Sequence, residues 1–232
     1  MKKLFLSIIL VLLFSTFSFA KTIIIDIGHT VEKPGVISAR GNPEIIFNYL
    51  TGIIISKKLA NKGFEVYLSA NMELSDRVKK IKKYNPDMVI SIHHDSVQPH
   101  HLSTWKFEGK EYYYSDKFSG FSIFVSKKND QFKNSLRFAN LLGRFMTEAG
   151  LYSTYHHTEP VKGENRELLN KEYGVYRFDD LVLLKSTYPA VLLECGIIVN
   201  RSDELTLRSD YIVNFISDAV LKAVTTYFNH SL

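Results

Sequence analysis

Residues 22–29, with the sequence TIIIDIGH, decide which fold the chain can adopt. The run from Thr22 to Ile27 is short, apolar and mostly β-branched, and Gly28 stops it. Such a run is typical of a strand that is buried on both faces of a sheet. A strand of this kind needs helices above and below it, so the stretch predicts the first strand of an α/β domain.

Extended and helical patterns alternate along the chain after this strand. From Glu44 to Asn61 the apolar residues recur at helical spacing, and Gly63 ends the helix. The other predicted elements are strands over 64–68, 87–92, 121–126 and 190–193, and helices over 75–84, 134–148 and about 205–228. This alternation is typical of βαβ units. We expect a single α/β domain with a twisted, mostly parallel sheet and helices on both faces.

Two segments interrupt the alternation. Residues 96–120 are polar and aromatic and are too long for an ordinary connection, so we interpret them as a surface insertion. Their aromatic residues, which include Trp105, could stack on sugar rings or attach the insertion to the domain. Residues 151–180 also lack a regular pattern.

The first twenty residues have the pattern of an export signal. Lys2 and Lys3 precede an apolar run, and Ala20 ends a short segment with small residues. The apolar run is shorter than the ~20 residues that a membrane span requires. We therefore expect residues 1–20 to be removed as a signal peptide. Residues 21–232 would then act as one domain without a transmembrane span, in the periplasm, at the cell wall or in the medium.

Charge limits the expected partners of the chain, and cysteine content limits how its fold can be stabilised. The chain has 29 Lys and Arg against 24 Asp and Glu, a formal net charge of +5, and its basic residues are scattered. Nucleic acid is not an expected partner, because no basic and aromatic recognition motif occurs. Mild basicity suits an anionic surface such as a cell wall. Cys195 is the single cysteine, so the fold depends on its apolar core and not on a disulfide.

Potential metal ligands and acids follow three of the predicted strands. These residues are His29 after the first strand, His93, His94 and Asp95 after the third, and Glu194 after the last. In open α/β sheets the carboxyl ends of the strands line the ligand crevice. Glu44, at the start of the first helix, can return to the same crevice if the preceding loop folds over the strand end.

This set of residue types suits zinc chemistry. A catalytic Zn²⁺ site has three protein ligands, usually imidazoles and a carboxylate, and leaves one position open for water. A further carboxylate such as Glu194 can act as the general base, because burial raises its pKa. Taken singly, His29 is better explained as a hydrogen-bonding loop residue, and Glu44 as a first-turn acid that the helix dipole favours. Their combination at the strand ends favours a metal site.

Four segments occur in a recognisable order: residues 24–29, Glu44 before a helix, residues 91–95, and residues 189–196 followed by Asn200. Together they resemble the signature segments of the zinc-dependent N-acetylmuramoyl-L-alanine amidases of the Amidase_3 family. The resemblance runs from residue 22 to the closing helix.

The resemblance implies one Zn²⁺ ion held by His29, Glu44 and His93, with Glu194 as the catalytic base. It also implies hydrolysis of the amide between N-acetylmuramic acid and the L-alanine of the peptidoglycan stem peptide. The neighbouring His94 raises a question of register, because side chains alternate across a strand and only one of the pair can readily face the crevice. The resemblance favours His93.

Other polar residues support less specific functional hypotheses. Arg166 and Arg177 could bind substrate carboxylates or sugar oxygens, since the guanidinium group suits such recognition. An accessory metal site is a second reading, although histidine pairs in polar loops are usually solvated. Its candidate residues are His100, His101, His156, His157 and Glu159.

Three alternative functions stay open. A thiol hydrolase would use Cys195, although this residue should face away from Glu194 on the same strand and pack as a small hydrophobe. A zinc peptidase would cut within the stem peptide. A cell-wall-binding regulator would keep the fold without catalysis, which the presence of all four expected site residues argues against.

A regulatory protein could also act on the enzyme, and the insertion could cover the site.

Overall fold

The computed structural model describes residues 20–229. The expected signal peptide lies outside the described residues except for Ala20. The strands are β1 (Thr22–Ile27), β2 (Glu65–Ser69), β3 (Met88–Asp95), β4 (Ser103–Phe107), β5 (Lys110–Tyr114), β6 (Ser122–Val125), β7 (Leu168–Asn170), β8 (Val175–Arg177) and β9 (Ala190–Ile197). The helices are α1 (Glu44–Asn61), α2 (Leu74–Tyr84), α3 (Phe132–Glu148), α4 (Arg201–Thr206) and α5 (Asp210–Asn229).

A seven-stranded sheet with the order β2-β1-β3-β9-β6-β8-β7 forms the centre of the described domain. The pairs β1–β2, β1–β3, β3–β9 and β6–β8 are parallel, whereas β6–β9 and β7–β8 are antiparallel. The predicted α/β class and the mostly parallel sheet are therefore confirmed. The same topology brings the carboxyl ends of β1, β3 and β9 side by side.

Helices cover both faces of this sheet, as the sequence predicts. On one face, Ile23 and Ile25 of β1 share a core with α1, α3 and α5. On the other face, Ile24 packs with Ile81 of α2. Alternation along the strand produces this division, because successive side chains point to opposite faces. Within residues 20–229, no helix is both long and apolar enough to cross a membrane.

A buried ion pair fastens α2 to the sheet. The Asp26 carboxylate accepts hydrogen bonds from Arg77 Nη1 at 2.7 Å and from Ser91 Oγ at 2.6 Å. Asp26 is 0% exposed and Arg77 is 7% exposed. Neither charge can therefore be hydrated well, and each depends on the other.

Three segments differ from their predicted structure. The 96–120 insertion contains the hairpin β4–β5, and Trp105 Nε1 donates to the Ala39 carbonyl oxygen at 2.7 Å. Arg40 and Arg201 also stack on the Trp105 ring, so the aromatic residues attach the insertion to the domain. Residues 151–180 are not wholly irregular, because β7 and β8 extend the sheet. The closing helix, predicted from about residue 205, consists of α4 and α5 separated by a short turn.

We expect Arg77→Met to lower the free energy of unfolding by about 3–5 kcal/mol, since it leaves the Asp26 carboxylate buried without its cation. Urea denaturation followed by circular dichroism measures the change. Lys79→Met is the matched control on the same helix, because Lys79 pairs with Asp76 at an exposed position and should cost less than about 1 kcal/mol. Equal effects of the two substitutions would contradict the role of the buried pair.

Candidate metal centre

The structure brings His29, Glu44 and His93 together at the carboxyl ends of β1 and β3. Glu44 Oε2 lies 2.9 Å from His29 Nε2, and Glu44 Oε1 lies 3.0 Å from His93 Nδ1. The donor atoms of the three side chains lie within 4.8 Å of one another. We call these residues the first cluster. Two imidazoles and a carboxylate at this spacing can hold a divalent metal ion.

The backbone around Gly28 makes room for the first cluster. His29 has φ 71°, in the left-handed region, which turns the chain sharply after β1. A Cβ atom at Gly28 would lie only 2.3–2.7 Å from atoms of the His93 imidazole. Any larger residue at this position would therefore displace the ring. Gly28 was visible in the sequence as a strand terminator, but its role as space for His93 was not.

Hydrogen bonds keep the buried Glu44 carboxylate ionised. Burial raises the pKa of Glu44, but hydrogen bonds from His29 and His93 outweigh it and hold the pKa well below its usual value. Backbone amides contribute as well: Val36 N donates to Oε2 at 3.1 Å and His94 N to Oε1 at 3.2 Å. An ionised carboxylate is the form that binds a metal ion.

The two neighbouring histidines of β3 point in different directions. His93 joins the first cluster, whereas His94 faces α1, where its Nδ1 lies 2.8 Å from Asn48 Oδ1 and its ring packs on Phe47. Burial lowers the pKa of His94 to about 3, so the ring is neutral. The alternation of side chains along β3 explains why only one of the two can reach the crevice.

Asn48 is a site residue that the sequence analysis missed. Its Nδ2 donates to Glu44 Oε1 at 3.1 Å, and its Oδ1 contacts His94. It lies one helical turn after Glu44 in α1 and is fully buried. A polar residue four positions after a helix-start acid, on the buried face of that helix, is the signal that could have indicated it.

Glu194 lies next to the first cluster on β9. Its register partner on β3 is His93. Burial raises the pKa of Glu194 well above its usual value, and the charges of Asp95 and Glu44 raise it further. Its Oε2 has no hydrogen-bond partner among the described residues. A carboxyl group that holds its proton easily and has a free oxygen is suited to proton transfer.

Cys195 lies on the opposite side of the strand from Glu194. It is 4% exposed and belongs to the core formed with α1, α3 and α5. Burial raises the pKa of the Cys195 thiol well above its usual value. The predicted orientation is therefore confirmed, and the thiol is poorly placed to act as a nucleophile.

Arg166 and Arg177, the two arginines that could bind substrate, lie in different parts of the structure. The Arg177 guanidinium forms ion pairs with Glu167 and Asp179 on the outer part of the sheet. Arg166 stacks over the Phe178 ring at 3.8 Å, and its charge lowers the pKa of nearby Glu194. Only Arg166 therefore lies within electrostatic reach of the proposed base.

The position of the histidine pairs in polar loops predicted that they are solvated. This prediction is wrong for one of the two pairs. His156 and His157 are buried and contact Asp95. Glu159, which the sequence grouped with them, contacts His100 and His101 instead. The described structure therefore contains two further groups of metal-competent side chains beside the first cluster.

An α/β sheet that gathers two imidazoles and a carboxylate at its strand ends, beside a protonatable carboxyl group, defines a class of hydrolytic enzymes built around a metal site. The Amidase_3 family model, described as N-acetylmuramoyl-L-alanine amidase, matches residues 23–226. The chain therefore belongs to this family, whose members hydrolyse the amide between N-acetylmuramic acid and L-alanine in peptidoglycan.

The chain is also similar to individual proteins. The uncharacterised protein YqiI of Bacillus subtilis is 25% identical over 213 residues, which cover 90% of this chain and 85% of that protein. The amidase Ami1 of Mycobacterium smegmatis has a similar structure, with a TM-score of 0.71 at 17% identity over 90% of this chain and 97% of that one. The catalytic domain of the amidase CwlV of Bacillus (Paenibacillus) polymyxa has a TM-score of 0.68 at 24% identity, covering 90% and 98% of the two chains. These structural likenesses establish the shared fold.

We expect Asn48→Leu to lower the affinity of the first cluster for a divalent ion by about 10- to 100-fold, because partners that orient a metal ligand have effects of this size. Competition titration against a chromophoric chelator measures the affinity. Ser56→Ala is the control on α1, since the Ser56 hydroxyl donates only to the Gly52 carbonyl oxygen. An affinity in Asn48→Leu equal to that of the Ser56→Ala protein would refute the role given to Asn48.

Proposed function

We propose that the chain is an exported, zinc-dependent N-acetylmuramoyl-L-alanine amidase. In this proposal His29, Glu44 and His93 hold one Zn²⁺ ion and Glu194 is the catalytic base. The observation that carries the proposal is the convergence of these three donors beside a carboxyl group whose Oε2 lacks a hydrogen-bond partner in the described structure. Membership of the amidase family identifies the bond that is hydrolysed.

The donor set fits zinc better than the common hard cations. Imidazole nitrogens suit zinc and similar transition metals, whereas Mg²⁺ and Ca²⁺ prefer oxygen ligands. Three protein ligands are the number found in catalytic zinc sites. His29 is the most exposed of the three, with about a third of its side chain accessible, so substrate and water can reach this side of the cluster.

Zinc held there would supply a Lewis acid that polarises the scissile carbonyl and acidifies water. The side chains of the protein do the rest. Glu194 takes a proton from the attacking water and delivers it to the nitrogen of the departing L-alanine. Its raised pKa makes it a good enough acid for the second transfer. Asn48 and the backbone amides keep Glu44 oriented while the charges change.

Export and regulation are also part of the proposal. The enzyme would need to reach peptidoglycan, and the amino-terminal sequence has the lysines and apolar run of a signal peptide. Without residues 1–20, which include Lys2 and Lys3, the formal net charge falls from +5 to +3, and this mild basicity suits contact with an anionic wall. A regulatory protein that uncovers the site stays a prediction from the sequence.

We expect Glu194→Gln to retain its metal and to lower kcat by about 10²- to 10⁴-fold, the usual contribution of general acid–base catalysis. Turnover of a soluble muropeptide and metal content by mass spectrometry are measured on the same preparation. Cys195→Ala is the matched control, because Cys195 is the next residue of β9 and faces the core. A thiol hydrolase would show the reverse pattern, with Cys195→Ala inactive.

Digestion of purified peptidoglycan separates the proposed amidase from the other functions. We expect intact stem peptides that begin with L-alanine to be released, and a chelator to stop their release until zinc is restored. A zinc peptidase would instead release shortened peptides. A regulator without catalysis would release nothing. Mass spectrometry of the soluble products identifies which of these results occurs.

A further inference from the structure

A second group of potential ligands lies where β3 ends, and we call it the second cluster. It consists of Asp95, His156 and His157. Asp95 Oδ2 lies 2.8 Å from His157 Nε2 and 3.4 Å from His156 Nε2. The donor atoms of the three residues lie within 4.8 Å of one another. One ion could therefore contact all of them.

Each imidazole of the second cluster is fixed through its other nitrogen. His157 Nδ1 lies 2.9 Å from Glu164 Oε2, and His156 Nδ1 lies 2.9 Å from Thr154 Oγ1. A neutral ring that donates its Nδ1 proton to such a partner has an unprotonated Nε2 that can bind a metal. Histidine ligands of metal ions almost always have an outer partner of this kind.

Hydrogen bonding among the described residues leaves part of the second cluster unsatisfied. Neither Asp95 Oδ2 nor His156 Nε2 has a hydrogen bond of good geometry there. His156 is 2% exposed, so bulk water does not replace the missing partner. A buried polar atom without a partner costs about 1–3 kcal/mol. An ion in contact with all three side chains would satisfy both atoms.

An ion pair without a metal explains only part of this arrangement. Burial lowers the pKa of His157, but the charge of Asp95 and hydrogen bonds to Asp95 and Glu164 raise it to about 9. A protonated His157 between these two carboxylates would be stable. Among the described residues His156 Nε2 would still lack a hydrogen bond of good geometry, because its contact with Asp95 Oδ2 is 3.4 Å long.

The two clusters have similar spacing. In the first cluster the carboxylate oxygens lie 2.9 and 3.0 Å from the imidazole nitrogens. In the second cluster the corresponding distances are 2.8 and 3.4 Å. Both contain two imidazoles and one carboxylate, so both have the ligand types of a zinc site.

We propose that Asp95, His156 and His157 form a second binding site for a divalent ion, distinct from the first cluster. The ligand set selects Zn²⁺ or a similar transition metal over Mg²⁺ and Ca²⁺. This second site does not depend on the function assigned to the first cluster.

The position of the second cluster indicates what an ion there would do. Ser122 Oγ lies 3.2 Å from His157 Nε2, and Ser122 is the register partner of Glu194 on the neighbouring strand. Both histidines belong to the loop between α3 and β7, whereas Asp95 belongs to the sheet. An ion would therefore link this loop to the carboxyl end of β3, beside Glu194.

Counting bound zinc tests the second site. Tag-free protein is stripped with a chelator, incubated with zinc, passed through a desalting column and analysed for metal per chain. We expect two ions in the wild-type protein and one in Asp95→Asn and in His157→Gln. Asp95→Asn is nearly isosteric and can still accept the hydrogen bond from Ser96 N, so it should remain folded, which circular dichroism checks.

Two further variants separate the clusters. His93→Ala should retain one ion, and His101→Ala should retain two, because His101 belongs to a separate group with His100 and Glu159. One ion in the wild-type protein, lost in His93→Ala and kept in His157→Gln, would overturn the second site and leave the proposed amidase function intact. One ion lost in His157→Gln but kept in His93→Ala would support the second site and contradict the zinc ligands of the proposed function.

Cobalt provides a second, spectroscopic readout of the number of bound ions. We expect visible absorption of Co²⁺ to increase with the metal added up to two equivalents per chain, with the second increment absent in Asp95→Asn. Saturation of the wild-type spectrum at one equivalent would overturn the proposal. A second increment that persists in Asp95→Asn but disappears in His101→Ala would overturn it as well, since that ion would belong to the group of His100, His101 and Glu159.

Discussion

The hydrogen bonds between the Glu44 carboxylate and the imidazoles of His29 and His93 are the contacts on which the centre depends. Glu44 is 2% exposed, yet its pKa lies well below the usual value because these partners outweigh burial. A buried charge without partners is strongly destabilising. The start of α1 and the ends of β1 and β3 must therefore meet at one point, and the sheet order places them so that they can.

A second buried carboxylate shows why the ligand type matters. Asp26 is paired with Arg77, which remains protonated in proteins and cannot bind a metal ion. Glu44 is paired with imidazoles, which can be neutral and then offer a lone pair. The Asp26 pair therefore only holds α2 on the sheet, whereas the imidazoles of the first cluster can exchange their hydrogen bonds to Glu44 for bonds to an ion.

The sequence predicted those parts of the fold that depend on residues close to one another along the chain. The bounds of β1 and α1 follow from β-branched and helical runs. The strand ends pointed to His29, to Glu194 and to the run of residues 93–95, from which the family resemblance selected His93, and the start of the first helix pointed to Glu44. The strands β7 and β8 were missed because each has three residues, too few for a periodic signal. The grouping of Asp95 with His156 and His157 was missed for another reason: their contact joins distant parts of the chain, and the sequence analysis placed all the loop histidines with Glu159 in one candidate site.

Opposite electrostatic environments give the two glutamates of the centre different chemistry. Glu44 receives hydrogen bonds from two imidazoles and from backbone amides, which favour its charged form. Burial favours the protonated form of Glu194, the nearby charges of Asp95 and Glu44 favour it further, and its Oε2 has no hydrogen-bond partner in the described part of the chain. A divergence of this kind separates a ligand from an acid–base group. Because the charge on Glu44 itself raises the pKa of Glu194, the proposed ligand helps to set the proton affinity of the proposed base, and a cation bound to the first cluster would reduce that influence.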